Sequence, residues 1–162
     1  MAKKGTTKFK SNKQEKSVAK QMNAKTVIAS GALWFASADV RSDKFLIECK
    51  TTEKDYYPVT TKVWEKISQE AVKDGMRIPL LMVDLKDSER YVIFNPKDFN
   101  RQFNTYVIAG GKVTKTYRLR EWEDVSELPI LFGLSAERAD KVNHILMCWT
   151  IDKFKDYFEE EL

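Results

Sequence analysis

One histidine, His144, is all this 162-residue chain contains, so a multi-histidine metal centre is excluded. Cysteine is almost as scarce. Cys49 and Cys148 lie far apart, outside any metal-ligand spacing, and two residues make no disulfide framework. That usage is expected of a reduced, cytoplasmic protein. Long apolar runs are missing too. The longest stretch without a charged residue, Thr26 to Ala38, spans 13 residues and includes Ser30 and Gly31. A membrane-spanning helix needs about 20 mostly apolar residues, so no membrane association is expected. The basic start leads into neither an apolar signal core nor a cleavage site. What is present is enough for a core: 43% hydrophobic residues, with 9 Phe, 6 Tyr and 4 Trp. That excludes a wholly disordered chain.

The charge is small in sum and uneven in place. Lys3, Lys4, Lys8, Lys10, Lys13, Lys16 and Lys20 stand against Glu15 alone, a net +6 over the first twenty residues. The whole chain carries +4, which leaves the other 142 residues at −2. A basic arm on a near-neutral body points to a polyanionic partner, most often nucleic acid, the plain alternative being a solubilising tail.

The pattern reads as a flexible basic arm over residues 1–10, a core over residues 11–95 and an extension over residues 96–162 packed on the same domain. Ser11 or Asn12 can cap a helix whose apolar face is Val18, Ala19 and Met22. Thr26 to Ile28, Leu33 to Phe35 and Ala38 to Val40 are extended candidates, and Arg41 to Lys44 is a polar hairpin connection. Phe45 to Lys50 is a strand, and Thr51 to Tyr57 a polar loop. Val63, Ile67 and Ala71, with Trp64 and Val72 beside them, mark a helix from Thr60 to Asp74, ended by Gly75. Ile78 to Leu85 is apolar throughout, as a strand buried on both faces must be. Tyr91 to Phe94 returns the chain, and Asn95-Pro96 opens a short helix to Phe103. Tyr106 to Ala109 and Val113 to Leu119 are expected to form a hairpin about Gly110-Gly111. Ser135 is expected to cap a helix from Ala136 to Trp149, and Thr150 a final helix bearing Ile151, Phe154 and Phe158. The fold class is therefore α/β: a mixed central sheet flanked by helices, with a C-terminal hairpin and helical extension.

The chemistry is concentrated in Phe45-Leu46-Ile47-Glu48-Cys49-Lys50. Alternation sends Phe45, Ile47 and Cys49 to one face and Leu46, Glu48 and Lys50 to the other. Glu48 and Lys50 then leave the same face about 6.6 Å apart. Charge inside an apolar strand is costly unless it pairs or binds metal. The hairpin brings Asp39 beside Glu48. Two carboxylates there, with the Cys49 backbone carbonyl as a third ligand, make a hard-oxygen site suited to Mg²⁺. Such a site hydrolyses phosphodiesters, with Lys50 orienting water or steadying phosphate charge. The alternative is a surface ion pair of Glu48 with Lys50, and Asp39 as a turn residue.

Asp39, eight intervening residues, then Glu48-x-Lys50 across a hairpin, with Glu15 on an upstream helix, resembles the PD-(D/E)-x-K nuclease superfamily. Within it the pattern is similar to the archaeal and phage Holliday junction resolvases. The likeness runs from Ser11 to Leu85. Ala38 stands where the motif's name has proline. The resemblance implies a restriction-endonuclease-like fold in which Glu15, Asp39 and Glu48 gather Mg²⁺, with Mn²⁺ able to substitute. It implies that Lys50 assists the attacking water and that Ser30 acts near the scissile phosphate.

Lys3, Lys4, Lys8, Lys10 and Lys13 from the arm, with Lys54, Tyr56, Tyr57 and Lys62 near the catalytic strand, are the expected DNA contacts. His144 is expected to be structural. The expected partner is DNA, branched as a four-way junction, cut by a homodimer whose two sites share a two-fold axis. Trp122, Trp149, Phe154 and Phe158 serve either the dimer interface or the monomer core. Two other readings fit the same residues: a repair, restriction or processing nuclease acting on duplex, flap or single-stranded DNA, and a non-catalytic DNA-binding module.

Overall fold

A computed structural model of the chain describes residues 7–27, 38–86, 88–103, 106–108, 113–121, 128–136 and 141–162. The chain opens with α1 (Thr7–Gln21) and β1 (Lys25–Thr26), and then forms β2 (Val40–Arg41) and β3 (Phe45–Thr51). It continues through β4 (Tyr56–Thr60), α2 (Thr61–Lys73), β5 (Ile78–Asp84) and β6 (Arg90–Phe94). β7 (Val107–Ile108), β8 (Thr116–Arg120), β9 (Ile130–Leu134), β10 (His144–Thr150) and α3 (Ile151–Tyr157) complete it.

Among the described residues, eight strands join one mixed sheet in the order β1-β2-β3-β5-β6-β10-β9-β7. β2 and β3 are the expected antiparallel hairpin, with Val40 opposite Ile47. β3 runs parallel to β5 through the α2 crossover, and β5 runs antiparallel to β6. β4 and β8 stand apart as a two-stranded antiparallel ribbon. The order helix, hairpin, helix, parallel strand over Ser11 to Leu85 is the one the nuclease resemblance implies. No described helix is long and apolar enough to cross a membrane.

Both faces of the sheet are covered. On one, α1 contributes Val18 and Met22 and α3 contributes Ile151 and Phe154, packed on Phe45, Ile47, Cys49, Leu80 and Met82. On the other, Trp64 and Ile67 of α2 and Val59 and Leu119 of the ribbon cover Leu81, Val83, Ile93 and Leu146. β5 thus buries both its faces, as its unbroken apolar run predicts. Phe94 touches Phe99, Phe154 and Phe158 at ring distances of 5.2–5.8 Å. Fully burying each such ring contributes about 1.5–3 kcal/mol, so Phe154 and Phe158 stabilise this chain's own core rather than an interface.

α2 is capped by the Thr60 side chain, which accepts from the Val63 amide, and Gly75 follows the helix at φ +83°. That left-handed value is free of penalty for glycine. Val72, expected at the edge of the buried stripe, is exposed.

Several expectations are corrected. α1 starts at Thr7, ahead of Ser11, because the Ser11 hydroxyl bonds Glu15 one turn on (3.1 Å) instead of capping. Tyr56 and Tyr57 lie in β4, not in a loop. The short helix after Asn95 closes after one turn, Pro96–Asp98. Val107–Ile108 pairs parallel with β9, and Thr116–Arg120 pairs with β4, so they are not two arms of one hairpin. The helix expected from Ala136 to Trp149 does not form over the described residues 141–149. Its second half is β10, hydrogen-bonded between β6 and β9, where Leu146 to Thr150 are buried on both faces. The C-terminal hairpin of the fold is β9 with β10. The expected strand end at Ile28, the Ser30-Gly31 turn and Leu33 to Phe35 lie outside the described residues.

Candidate active site

Glu48 sits in mid-sheet on the α2 face of β3, only 5% exposed. The hairpin register that sets Val40 against Ile47 leaves Asp39 beside it. Asp39 is held at both ends. Its amide donates to the Ile47 carbonyl (3.2 Å), and its Oδ2 accepts from the Cys49 amide at 2.8 Å. The N–H and C=O of one strand residue point to the same edge, so the Cys49 carbonyl opens toward Asp39 while its side chain joins the core on the opposite face.

Lys50 Nζ donates to Glu48 Oε1 at 2.6 Å. Glu48 Oε2 is buried and has no hydrogen-bond partner among the described residues. Burial pushes the Glu48 carboxyl above its usual range, against the Lys50 hydrogen bond, and the charge of Asp39 adds to the rise. Asp39 is raised likewise by burial, which outweighs the Cys49 hydrogen bond, and the Glu15 charge raises it further. Burial pulls the Lys50 ammonium down, but the Glu48 hydrogen bond and charge prevail and its net direction is up. Two carboxylates held above their usual range by burial, one of them with a buried oxygen that has no partner among the described residues, are what a hard cation would relieve.

The donor set fits a divalent metal: carboxylates from Asp39 and Glu48 and the Cys49 carbonyl. Glu15 comes from α1, and its charge reaches Asp39. Among the described residues, however, no three His, Cys, Asp or Glu side chains close into one cluster. The structure therefore brings Asp39, Glu48 and Lys50 together and leaves Glu15 alongside.

The other expected residues are distributed as follows. Tyr57 feels the charges of Lys50 and Glu48, and burial raises its hydroxyl. Lys54 Nζ lies 5.4 Å from the Tyr56 ring centroid. Lys62 and Lys13 are exposed on α2 and α1. Lys10 is paired with Glu53. Lys8 lies in α1, whereas Lys3, Lys4 and Ser30 fall outside the described residues. His144 bonds Glu65 Oε1 (3.1 Å), tying β10 to α2.

Three residues of the site escaped sequence reasoning. Gln14, only 4% exposed, donates from Nε2 to the Lys50 carbonyl at 2.7 Å. Its spacing with Val18 and Met22 placed it on the buried stripe of α1, and that was the available signal. Lys66, one turn beyond Lys62, is an α2 lysine whose charge reaches both Asp39 and Glu48. Arg90 forms a bidentate pair with Asp84 (2.6 and 2.8 Å) and also donates to Ser17 and Gln21, fastening α1 to the sheet.

No protein-family model matches the chain, and no curated protein matches it. Among solved structures it is similar to the 1.6 Å structure of Archaeoglobus fulgidus Hjc, a Holliday junction resolvase from an archaeal hyperthermophile. The two are 14% identical, the match covers 68% of this chain and 88% of that one, and the TM-score is 0.44. At that similarity the functional reading rests on the side chains of the site themselves.

Proposed function

We propose that this protein is a divalent-metal-dependent endodeoxyribonuclease that hydrolyses phosphodiester bonds in branched DNA, the four-way junction foremost. Mg²⁺ is its cofactor and Mn²⁺ a substitute. The observation that carries the reading is Glu48. Its buried carboxylate holds Lys50 with one oxygen, keeps the other without a partner, and stands beside a second carboxylate fixed by the backbone of the same strand.

Asp39, Glu48 and the Cys49 carbonyl, with Glu15 alongside, would hold the cation, which when bound would supply Lewis-acid polarisation of a phosphate oxygen and acidification of water. The rest is work of the chain's own residues. Glu48 keeps the Lys50 ammonium charged and aimed. Lys50 orients the attacking water or steadies the charge that builds on the phosphate. Lys66 adds positive potential over the same carboxylates. Asp39, tied at its amide and at Oδ2, has no freedom to swing away.

A four-way junction offers two equivalent strands, and a homodimer with a two-fold axis uses one surface twice. The test is cleavage of labelled four-way, three-way, flap and linear DNAs in Mg²⁺ and in EDTA. Paired symmetric cuts in the junction, faster than in linear DNA, are expected. Equal cutting of every substrate would remove the junction preference and leave a general nuclease. No cutting of any substrate in Mg²⁺ would overturn the enzyme.

A further inference from the structure

The ribbon of β4 and β8 has two unlike faces. Tyr57 lies opposite Leu119 and Val59 opposite Tyr117, and these four turn inward onto the sheet. Tyr56 lies opposite Arg120 and Pro58 opposite Arg118, and these turn outward. Both arginines are exposed. The Arg118 guanidinium sits 5.2 Å from the Tyr56 ring centroid, and Lys54 Nζ sits 5.4 Å from it. An aromatic ring contacted by two cations holds them at the surface in a defined place. Of the acids adjacent in the chain, Glu53 is paired with Lys10, and Asp55 and Glu121 lie just outside the two strands.

The ribbon is joined to the candidate site. β4 follows β3 after four residues, 52–55, and the inward Tyr57 is coupled to Lys50 and Glu48. The ribbon therefore adjoins the strand of the carboxylates, with its inward face toward the site and its outward face toward solvent. Arg118 and Arg120 are two residues apart on one strand, about 6.8 Å, far enough for each guanidinium to meet a phosphate of its own.

We infer that the outward face of this ribbon, Lys54 and Tyr56 with Arg118 and Arg120, binds the phosphate backbone of the DNA flanking the cleaved bond. This rests on the nuclease reading for the site it flanks. It also assigns a role to part of the C-terminal third, for which the sequence offered none. The occupant is a DNA backbone because the named groups of this face are three cations and one aromatic ring, a set that meets phosphate charge whatever the base sequence.

The experiment is DNA binding in EDTA over a range of salt, with labelled duplex and four-way DNA. Arg118→Ala with Arg120→Ala removes two phosphate contacts. The slope of log affinity against log salt should fall by roughly 1.8, at about 0.9 per contact. Arg118→Lys with Arg120→Lys keeps the charge and should keep most of the slope. Lys73→Ala with Lys97→Ala removes equal charge at the far end of the sheet and should leave the slope as in wild type. A wild-type slope in the double alanine variant, or an equal fall in the distant pair, overturns the inference. Cleavage in Mg²⁺ is scored separately. DNA binding that depends on the ribbon without any cleavage would sustain the ribbon and sink the nuclease, and cleavage with ribbon-independent binding would do the reverse.

Discussion

The amide of Cys49 donates to Asp39 Oδ2 at 2.8 Å, so the strand that carries Glu48 and Lys50 also holds the second carboxylate. One backbone hydrogen bond thus fixes the distance between residues ten apart in sequence. It commits one oxygen of Asp39 and leaves the other for a ligand. The same edge carries the Cys49 carbonyl, and the site is assembled before any ligand arrives.

Gln14 is expected to position Lys50 through its backbone. Gln14→Ala removes a buried hydrogen bond to the Lys50 carbonyl and should cost about 1–2 kcal/mol. For a chain of this size that is roughly 3–6 °C in Tm. The turnover rate should fall while DNA affinity holds, since Gln14 is buried. Calorimetry and single-turnover cleavage check this. A normal rate in a destabilised variant would make Gln14 a packing residue only.

Glu48 should lower stability in the absence of metal. Its carboxyl is raised by burial, so ionisation in the folded state is disfavoured relative to the unfolded chain. The neutral form carries no such cost. The penalty is therefore absent below the unfolded value near 4.5 and grows as pH rises through the window up to the folded value. Glu48→Gln in EDTA should raise stability at pH 7 by on the order of 1 kcal/mol, and the gain should vanish below about pH 4.5. Melting curves across pH test it, and a variant less stable than wild type at pH 7 would contradict it.

The strand of the candidate site was legible because charge interrupted an apolar alternation. Phe45, Ile47 and Cys49 do face one core, and Glu48 and Lys50 the other side. The last third misled for physical reasons. Ala139, Val142, Leu146 and Trp149 satisfy helical spacing, yet the run from Leu146 to Trp149 is apolar because β10 is buried between two strands. Such a run carries no period of its own. β9, with Gly133 inside it, was not among the expected strands. In the fold the missing side chain of Gly133 leaves room for Val113, whose methyl lies 3.3 Å from where a Cβ would stand. Pro58 disguised β4, although a two-stranded ribbon tolerates proline where a central strand does not. Gln14 and Lys66 were missed because their roles depend on how helices pack, which no single segment states.

Self-association is expected through a surface other than the aromatic cluster. Phe154 and Phe158 are interior, whereas Val72, Met76, Val142 and Ile145 are exposed around grooves that share Asn95 and His144. Light scattering at micromolar concentration should give twice the 18.9 kDa of the chain. Met76→Asp with Ile145→Asp should return it to a monomer. A wild-type mass of 18.9 kDa would remove the dimer and the symmetric double cut with it.

The central claim is that Asp39 and Glu48 form a metal-dependent hydrolytic site. Its most direct measurement is single-turnover cleavage of a labelled four-way junction by wild type and by Asp39→Asn, with Mg²⁺ and with EDTA. Wild type should cut in Mg²⁺ and not in EDTA, and Asp39→Asn should bind the junction as tightly yet cut at least about a hundredfold more slowly, a loss of roughly 2.7 kcal/mol of transition-state stabilisation. Cleavage by Asp39→Asn at the wild-type rate, or wild-type cleavage that persists in EDTA, would contradict the account.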